Sequence, residues 1–253
     1  MPAKITRKQR RAARQNNEDI VEVEQKEKFN LKLKQINPLT DNQRNAFAAY
    51  EDGQHLLLAG TAGTGKSFLG IYLALNDIIH NETEQKLVIV RSVVPTRDVG
   101  FLPGSAKDKA AVYEAPYAAI FSELFSRGDA YEYCAKKAIV TFMTSSFIRG
   151  ITINNAIIVI DEMQNMTPGE LHSIFTRVGK NCRVVFAGDL KQNDLTTKKY
   201  EQSGFKDFFA ILNNMKSFTT IEFTSQDIVR SGLVKEYILT RERLEDKGIV
   251  DPL

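Results

Sequence analysis

One eight-residue stretch constrains this chain more than any other. Gly60-Thr61-Ala62-Gly63-Thr64-Gly65-Lys66-Ser67 fits the pattern GxxxxGK[ST] at every fixed position. Glycines at those places let a backbone wrap closely, so that several N–H groups converge on one phosphate chain. The pattern is informative only between a strand and a helix. Here an apolar run at residues 56–59 precedes it, and a helical pattern over residues 68–79 follows. The helix N-terminus adds the positive end of its dipole to the cradle. Gly60, Thr61, Ala62, Gly63, Thr64, Gly65, Lys66, Ser67 and Phe68 are therefore the candidate nucleotide-binding residues. Lys66 would reach the β- and γ-phosphates and serve catalysis, and Ser67 would hold Mg²⁺ through its hydroxyl.

The rest of the chain reads as α/β. Short runs rich in Val, Ile and Leu occupy residues 55–59, 87–90, 138–142, 156–160, 183–187 and 218–223, too far apart for hairpins. Consecutive apolar positions of that kind suit strands covered on both faces. Helical patterns lie between them at residues 67–79, 116–125, 168–178 and 205–213. Strands alternating with helices predict a mostly parallel central sheet flanked by helices. Thr167-Pro168-Gly169-Glu170 reads as a helix start with a capping box, a structural motif. The segment 95–116, with three prolines and two glycines, reads as a long loop.

Two further segments carry chemistry. The run at 156–160 ends in Asp161-Glu162. A buried parallel strand delivers its last residues to the carboxyl edge of the sheet, where open α/β folds bind ligands. Asp161 would complete the Mg²⁺ shell, and Glu162 could polarise the attacking water. The run at 183–187 ends in Gly188-Asp189-Leu190-Lys191-Gln192. There Gln192 is a candidate for orienting water or sensing the terminal phosphate, while Asp189 fixes the loop.

The formal charge of +3 conceals an asymmetry: the first fifteen residues hold Lys4, Arg7, Lys8, Arg10, Arg11 and Arg14 and no acid, so the remainder is net acidic. Residues 1–35 hold little apolar surface and are expected to form a basic, then mixed-charge arm, mobile or partly helical. Residues 36–253 are expected to make one domain. A cluster of six charges would bind phosphates without sequence preference. A solubility tail or an assembly contact is the alternative role. Two cysteines, Cys134 and Cys182, exclude a Cys-rich zinc module and a disulfide scaffold. The longest apolar runs are about five residues, against ~20 for a membrane span. The expectation is a cytoplasmic protein.

The order of motifs resembles the RecA-type core of superfamily 1 helicases. In such proteins a glutamine upstream of the phosphate loop reads adenine, and Gln43 of Leu39-Thr40-Asp41-Asn42-Gln43 stands in that place. More narrowly, the chain is similar to the PhoH family of P-loop ATPases, including the short members carried by bacteriophages. The residues carrying the match are Gly100-Phe101-Leu102-Pro103-Gly104, Arg149-Gly150, Asp161-Glu162-Met163-Gln164-Asn165, Gly188-Asp189-Leu190-Lys191-Gln192-Asn193-Asp194 and Asp227-Ile228-Val229-Arg230. The resemblance implies an Mg²⁺-dependent ATPase of the helicase type, coupled to RNA or single-stranded DNA. A superfamily 1 motor uses two RecA-like domains, whereas this length holds one. A ring-shaped homo-oligomer, a hexamer for preference, would supply an arginine from a neighbour, with Arg230 the first candidate and Arg241 and Arg243 behind it. Arg97, Phe101, Lys107, Lys109 and Tyr113 could contact a nucleic acid strand, with Arg149 adding a phosphate contact. Two other readings stay open: a nucleotide-dependent switch or assembly scaffold, and a P-loop small-molecule kinase.

Overall fold

The computed structural model describes residues 31–80, 86–92, 106–148, 150–189 and 205–251. Its strands are β1 (His55–Gly60), β2 (Lys86–Arg91), β3 (Val140–Thr144), β4 (Ala156–Asp161), β5 (Cys182–Gly188) and β6 (Phe218–Phe223). They form one sheet in the order β3-β2-β4-β5-β1-β6. Every pairing is parallel. All six strand ends carrying the loops of interest therefore open on one edge, and β5 lies between the strand bearing the glycine loop and the strand bearing the acidic pair.

Period-two alternation sends each strand's side chains to two separate layers. Leu56, Leu58, Ile157 and Val159 pack with Ile71, Leu75, Tyr117 and Phe121 on one side. Leu57, Ala59, Ile158 and Ile160 pack with Leu171, Phe186 and Phe208 on the other. The first layer is roofed by α1 (Asp41–Glu51), α2 (Lys66–His80), α3 (Ala106–Phe125) and α4 (Ala130–Lys136), the second by α5 (Pro168–Phe175) and α6 (Phe205–Asn213). All six residues of β4 are buried. Each fully buried Leu or Ile contributes about 1.5–3 kcal/mol, so the double covering fixes the register that aims Asp161 at the edge. A last helix, α7 (Gly232–Asp246), buries none of its residues fully.

Several elements depart from the reading of the sequence. The stretch 95–116 is not one loop, because α3 starts at Ala106 and runs through Pro116. Proline removes one N–H bond from a helix interior, but Tyr117, Phe121 and Leu124 bury the following turns in the core. Tertiary burial outweighs the local penalty. The strand expected at 138–142 is β3, shifted to Val140–Thr144. Ala138 is left-handed at φ 56° and closes α4 instead. The helix expected to reach residue 178 ends at Phe175, whereas its start is the capping box foreseen: Thr167 accepts from the Glu170 N–H and Glu170 reaches back to Thr167. The end of the expected arm is docked. Leu31 and Leu33 pack against the core, and the Lys34 N–H donates to the Leu124 carbonyl at 2.8 Å. Among the described residues no helix is long and apolar enough to cross a membrane.

Candidate active site

The glycine loop turns where β1 ends because its glycines take conformations other residues resist. Gly60 sits at φ +122°, and a Cβ there would fall 1.9 Å from the Phe223 carbonyl oxygen. Gly63 and Gly65 are left-handed as well. The loop is pinned from outside by β6 and the segment after it: Thr61 N–H donates to the Phe223 carbonyl at 3.1 Å, and Val229 N–H to the Gly63 carbonyl at 3.2 Å. The Lys66 ammonium folds back over the loop and donates to the Gly60 and Thr61 carbonyls, both at 2.8 Å. Burial lowers its pKa, and Asp189, Glu162 and Asp161 oppose that shift.

A cavity of about 770 Å³ opens over this loop. At its far wall stand the carboxylates. Ser67 Oγ donates to Asp161 Oδ1 at 2.6 Å, which brings two hard oxygen donors from α2 and β4 side by side. Tyr117 on α3 donates its hydroxyl to the other oxygen, Oδ2, at 2.9 Å. Glu162 has a left-handed backbone, φ 52° and ψ 42°, unusual for a residue with a side chain. That conformation turns it away from the line of β4. Its carboxylate accepts from Gln164 Nε2 at 2.5 Å, and Gln164 Oε1 accepts from the Asp189 N–H at 3.0 Å. Burial first, then the neighbouring Asp161, raises the Glu162 pKa; Gln164, Arg91 and Lys66 pull the other way. A carboxylate raised in this manner accepts a proton more readily than an unperturbed one.

Beside α1 the lining is more apolar, with Ile36, Leu39, Phe47 and Phe68 among its residues. Gln43 is buried there. Its Oε1 accepts from the Leu39 N–H at 2.8 Å and its Nε2 donates to the Thr64 carbonyl at 3.4 Å. The glutamine thus ties the segment before α1 to the glycine loop. Asp227 organises the same corner. It accepts from Asn42 Nδ2 at 2.8 Å and from the Thr224 N–H at 2.9 Å, so one buried carboxylate joins α1 to the turn after β6. Three residues on, Arg230 lines the cavity of its own chain, its Cγ lying 3.1 Å from where a Cβ on Gly63 would be. From α7, Thr61 is touched by Glu242 at 3.4 Å, while Arg241 pairs with Glu245 at 2.7 Å.

The sequence candidates Gln43, Gly63, Gly65, Lys66, Ser67, Phe68, Asp161, Glu162 and Arg230 all border this cavity, together with Ala62. Gln192 lies outside the described residues, as do Arg97, Phe101, Arg149 and the first fifteen residues. Sequence reasoning missed Arg91 and Tyr117, and it named Gln164 within the family match without giving it a role. Arg91 ends β2 in register with Asp161, so the rule that selected Asp161 would have selected it too. Tyr117 carried no such signal: it falls in the expected helix 116–125, whose periodicity does not say which residue meets Asp161.

A phosphate loop and an acidic pair facing each other across an intervening parallel strand define a P-loop NTPase core of the RecA-like kind. Within that class the chain belongs to the PhoH-like proteins, whose family profile matches residues 35–241. A PhoH-like protein of Bacillus subtilis is 31% identical over 211 residues, covering 83% of this chain and 65% of that one. A PhoH-like protein of Synechocystis is 29% identical over 208 residues, covering 82% and 62%. The chain thus spans less than two thirds of the length of these relatives. Among solved structures, the UvsW helicase from bacteriophage T4 is similar with a TM-score of 0.46 and 17% identity, over 77% of this chain and 64% of that one.

Proposed function

We propose that this chain binds ATP and hydrolyses it with Mg²⁺, and that hydrolysis serves an RNA or single-stranded DNA partner within a ring-shaped homo-oligomer. The observation that carries the reading is the convergence of Lys66 and Ser67 with Asp161 and Glu162 on one cavity. The donor set fits the metal: hydroxyl and carboxylate oxygens are hard ligands, and Mg²⁺ takes few protein ligands, leaving the rest to water and phosphate. When bound by Ser67 and Asp161, it would neutralise charge on the phosphates. Lys66 exchanges the Gly60 and Thr61 carbonyls for phosphate oxygens. Glu162, steadied by Gln164, takes a proton from the attacking water. Gln43 holds the segment that borders the apolar end, where a base fits.

Two features support the partners. Six basic charges within the first fifteen residues supply non-specific attraction to a phosphate backbone. Helix α7 exposes Leu233, Val234 and Tyr237 while its Glu242 reaches the glycine loop, so a second copy seated on that helix would lie beside the nucleotide. The test is ATP turnover with and without single-stranded RNA or DNA, alongside a mass determination, on the full chain and on a chain lacking residues 1–15. Stimulation by a strand, weakened and less salt-sensitive in the shortened chain, is expected. Unstimulated turnover with ATP-dependent assembly would instead favour a switch, and phosphate transfer to a small acceptor would favour a kinase.

A further inference from the structure

We infer that Arg91 reads the terminal phosphate of the nucleotide from within the same chain, telling a triphosphate from a diphosphate. The inference rests on the nucleotide reading of the cavity and adds a residue to it.

The placement comes from the sheet. Arg91 is the last residue of β2 and pairs in register with Asp161 on β4. Adjacent strands lie about 4.8 Å apart, so its side chain starts one strand beyond the carboxylates, on the side away from the glycine loop. It lines the cavity with Lys66, Ser67, Asp161 and Glu162. A diphosphate held by the glycine loop occupies the near wall. The next phosphate along the chain points towards β4 and β2, where Arg91 stands.

The electrostatics give the position a purpose. Facing the cavity, Lys66, Arg91 and Arg230 stand against Glu123, Asp161, Glu162 and Asp189. A triphosphate therefore enters among carboxylates and needs fixed cations near its most charged end. Lys66 serves the loop side, and Arg230 lies against Gly63 on that same side. Lys66 also feels the carboxylates but is bonded to the Gly60 and Thr61 carbonyls, so Arg91 is the cation on the β2 side of the acidic pair. Its charge is set against Asp161 and Glu162, and its guanidinium shares the Tyr117 hydroxyl. These contacts can be exchanged at low cost. Asp161 keeps Ser67 and Tyr117, and Glu162 keeps Gln164, when the guanidinium turns to another oxygen. Arginine offers planar, paired donors that match phosphate oxygens, and it cannot lose its charge. A purely structural Arg91 would only neutralise the acidic pair, and it would not distinguish the two nucleotides.

Equilibrium binding of fluorescent ADP and of a non-hydrolysable triphosphate analogue, both with Mg²⁺, separates these roles. For Arg91→Ala the expected result is a loss of about tenfold or more in affinity for the triphosphate analogue, with ADP affinity within about threefold of wild type. Arg91→Lys keeps the charge but not the paired donors, and should lie between the two; it also serves if the alanine variant folds poorly. Equal weakening of both nucleotides, or no change in either, would overturn the inference while leaving a wild type that hydrolyses ATP untouched. A wild type that binds neither nucleotide would remove the nucleotide reading and the role of Arg91 together.

Discussion

The two walls of the cavity are built by different means. On the glycine-loop wall the proposed binding surface is backbone, and one continuous segment from Gly60 to Ser67 supplies it. On the carboxylate wall side chains line the cavity, and they come from separate places: Arg91 from β2, Tyr117 from α3, Asp161 from the end of β4, and Glu162 and Gln164 from the turn that follows. The first wall needs unusual backbone angles at glycines. The second needs a charged, hydrogen-bonded group of residues in which each member is steadied by another. A backbone cradle should bind any nucleotide with phosphates, whereas the side-chain wall should decide what happens to the last phosphate.

The sharpest way to break this division is Lys66→Ala. It removes the ammonium folded over the glycine loop, and turnover should fall by at least ~10²-fold with nucleotide affinity reduced for ADP and ATP alike. If only turnover fell while both affinities held, the cradle wall would not be the binding wall. Next in size is Glu162→Gln, which should lower kcat by about 10²–10⁴-fold and leave ATP bound. The pH dependence follows from the raised Glu162 pKa. Because the folded value lies above the unfolded one, the stability this group contributes is present below the ordinary carboxylate range and is lost as pH rises through the folded value. The variant should therefore melt above wild type at pH 8, with the gap closing below about pH 4. The rising acid limb of the wild-type kcat profile should disappear with the carboxylate. A variant that melts at or below wild type at pH 8 would mean the site stores no charge penalty.

Asp227→Ala sharpens the comparison from outside the cavity. It removes the carboxylate to which the part-buried Asn42 amide and Thr224 N–H donate, a loss of about 1–3 kcal/mol in sum. A lower Tm is expected, together with a loss of a few fold in affinity for both nucleotides, since Gly63 and Gln43 both hang from this corner. Hydrogen bonds hold the Asp227 pKa down despite burial. Its contribution is thus present above the ordinary Asp range and lost as pH falls through the lowered value, so the difference in Tm should shrink in acid. Unequal losses for ADP and ATP would show that the two walls are not separable.

The walls also differ in how far they could be read in advance. The glycine loop was legible residue by residue, because its chemistry is local and only glycine suits its turns. Asp161 and Glu162 were legible because a uniformly apolar run announces a strand buried on both faces, and its end must reach the edge. The same logic applied to Arg91 but found no motif to draw attention to it. Tyr117 was hidden inside the expected helix 116–125, because periodicity does not show which residue of a helix meets a carboxylate on a strand far along the chain. Burial of Tyr117, Phe121 and Leu124 carried the helix through Pro116, and no local propensity records that gain.

By itself, then, the sequence determined the phosphate cradle, the parallel α/β sheet and the carboxylate pair, because each rests on contiguous residues with one favoured backbone. Only the tertiary structure decided which side chains meet that pair. Strand order placed β2 beside β4 and β5 between β4 and β1. Packing of α3 brought Tyr117 to Asp161, and the turn after β6 brought Arg230 to Gly63. Those contacts join residues far apart in the chain, and they are set by the burial of whole layers rather than by the identity of any short segment.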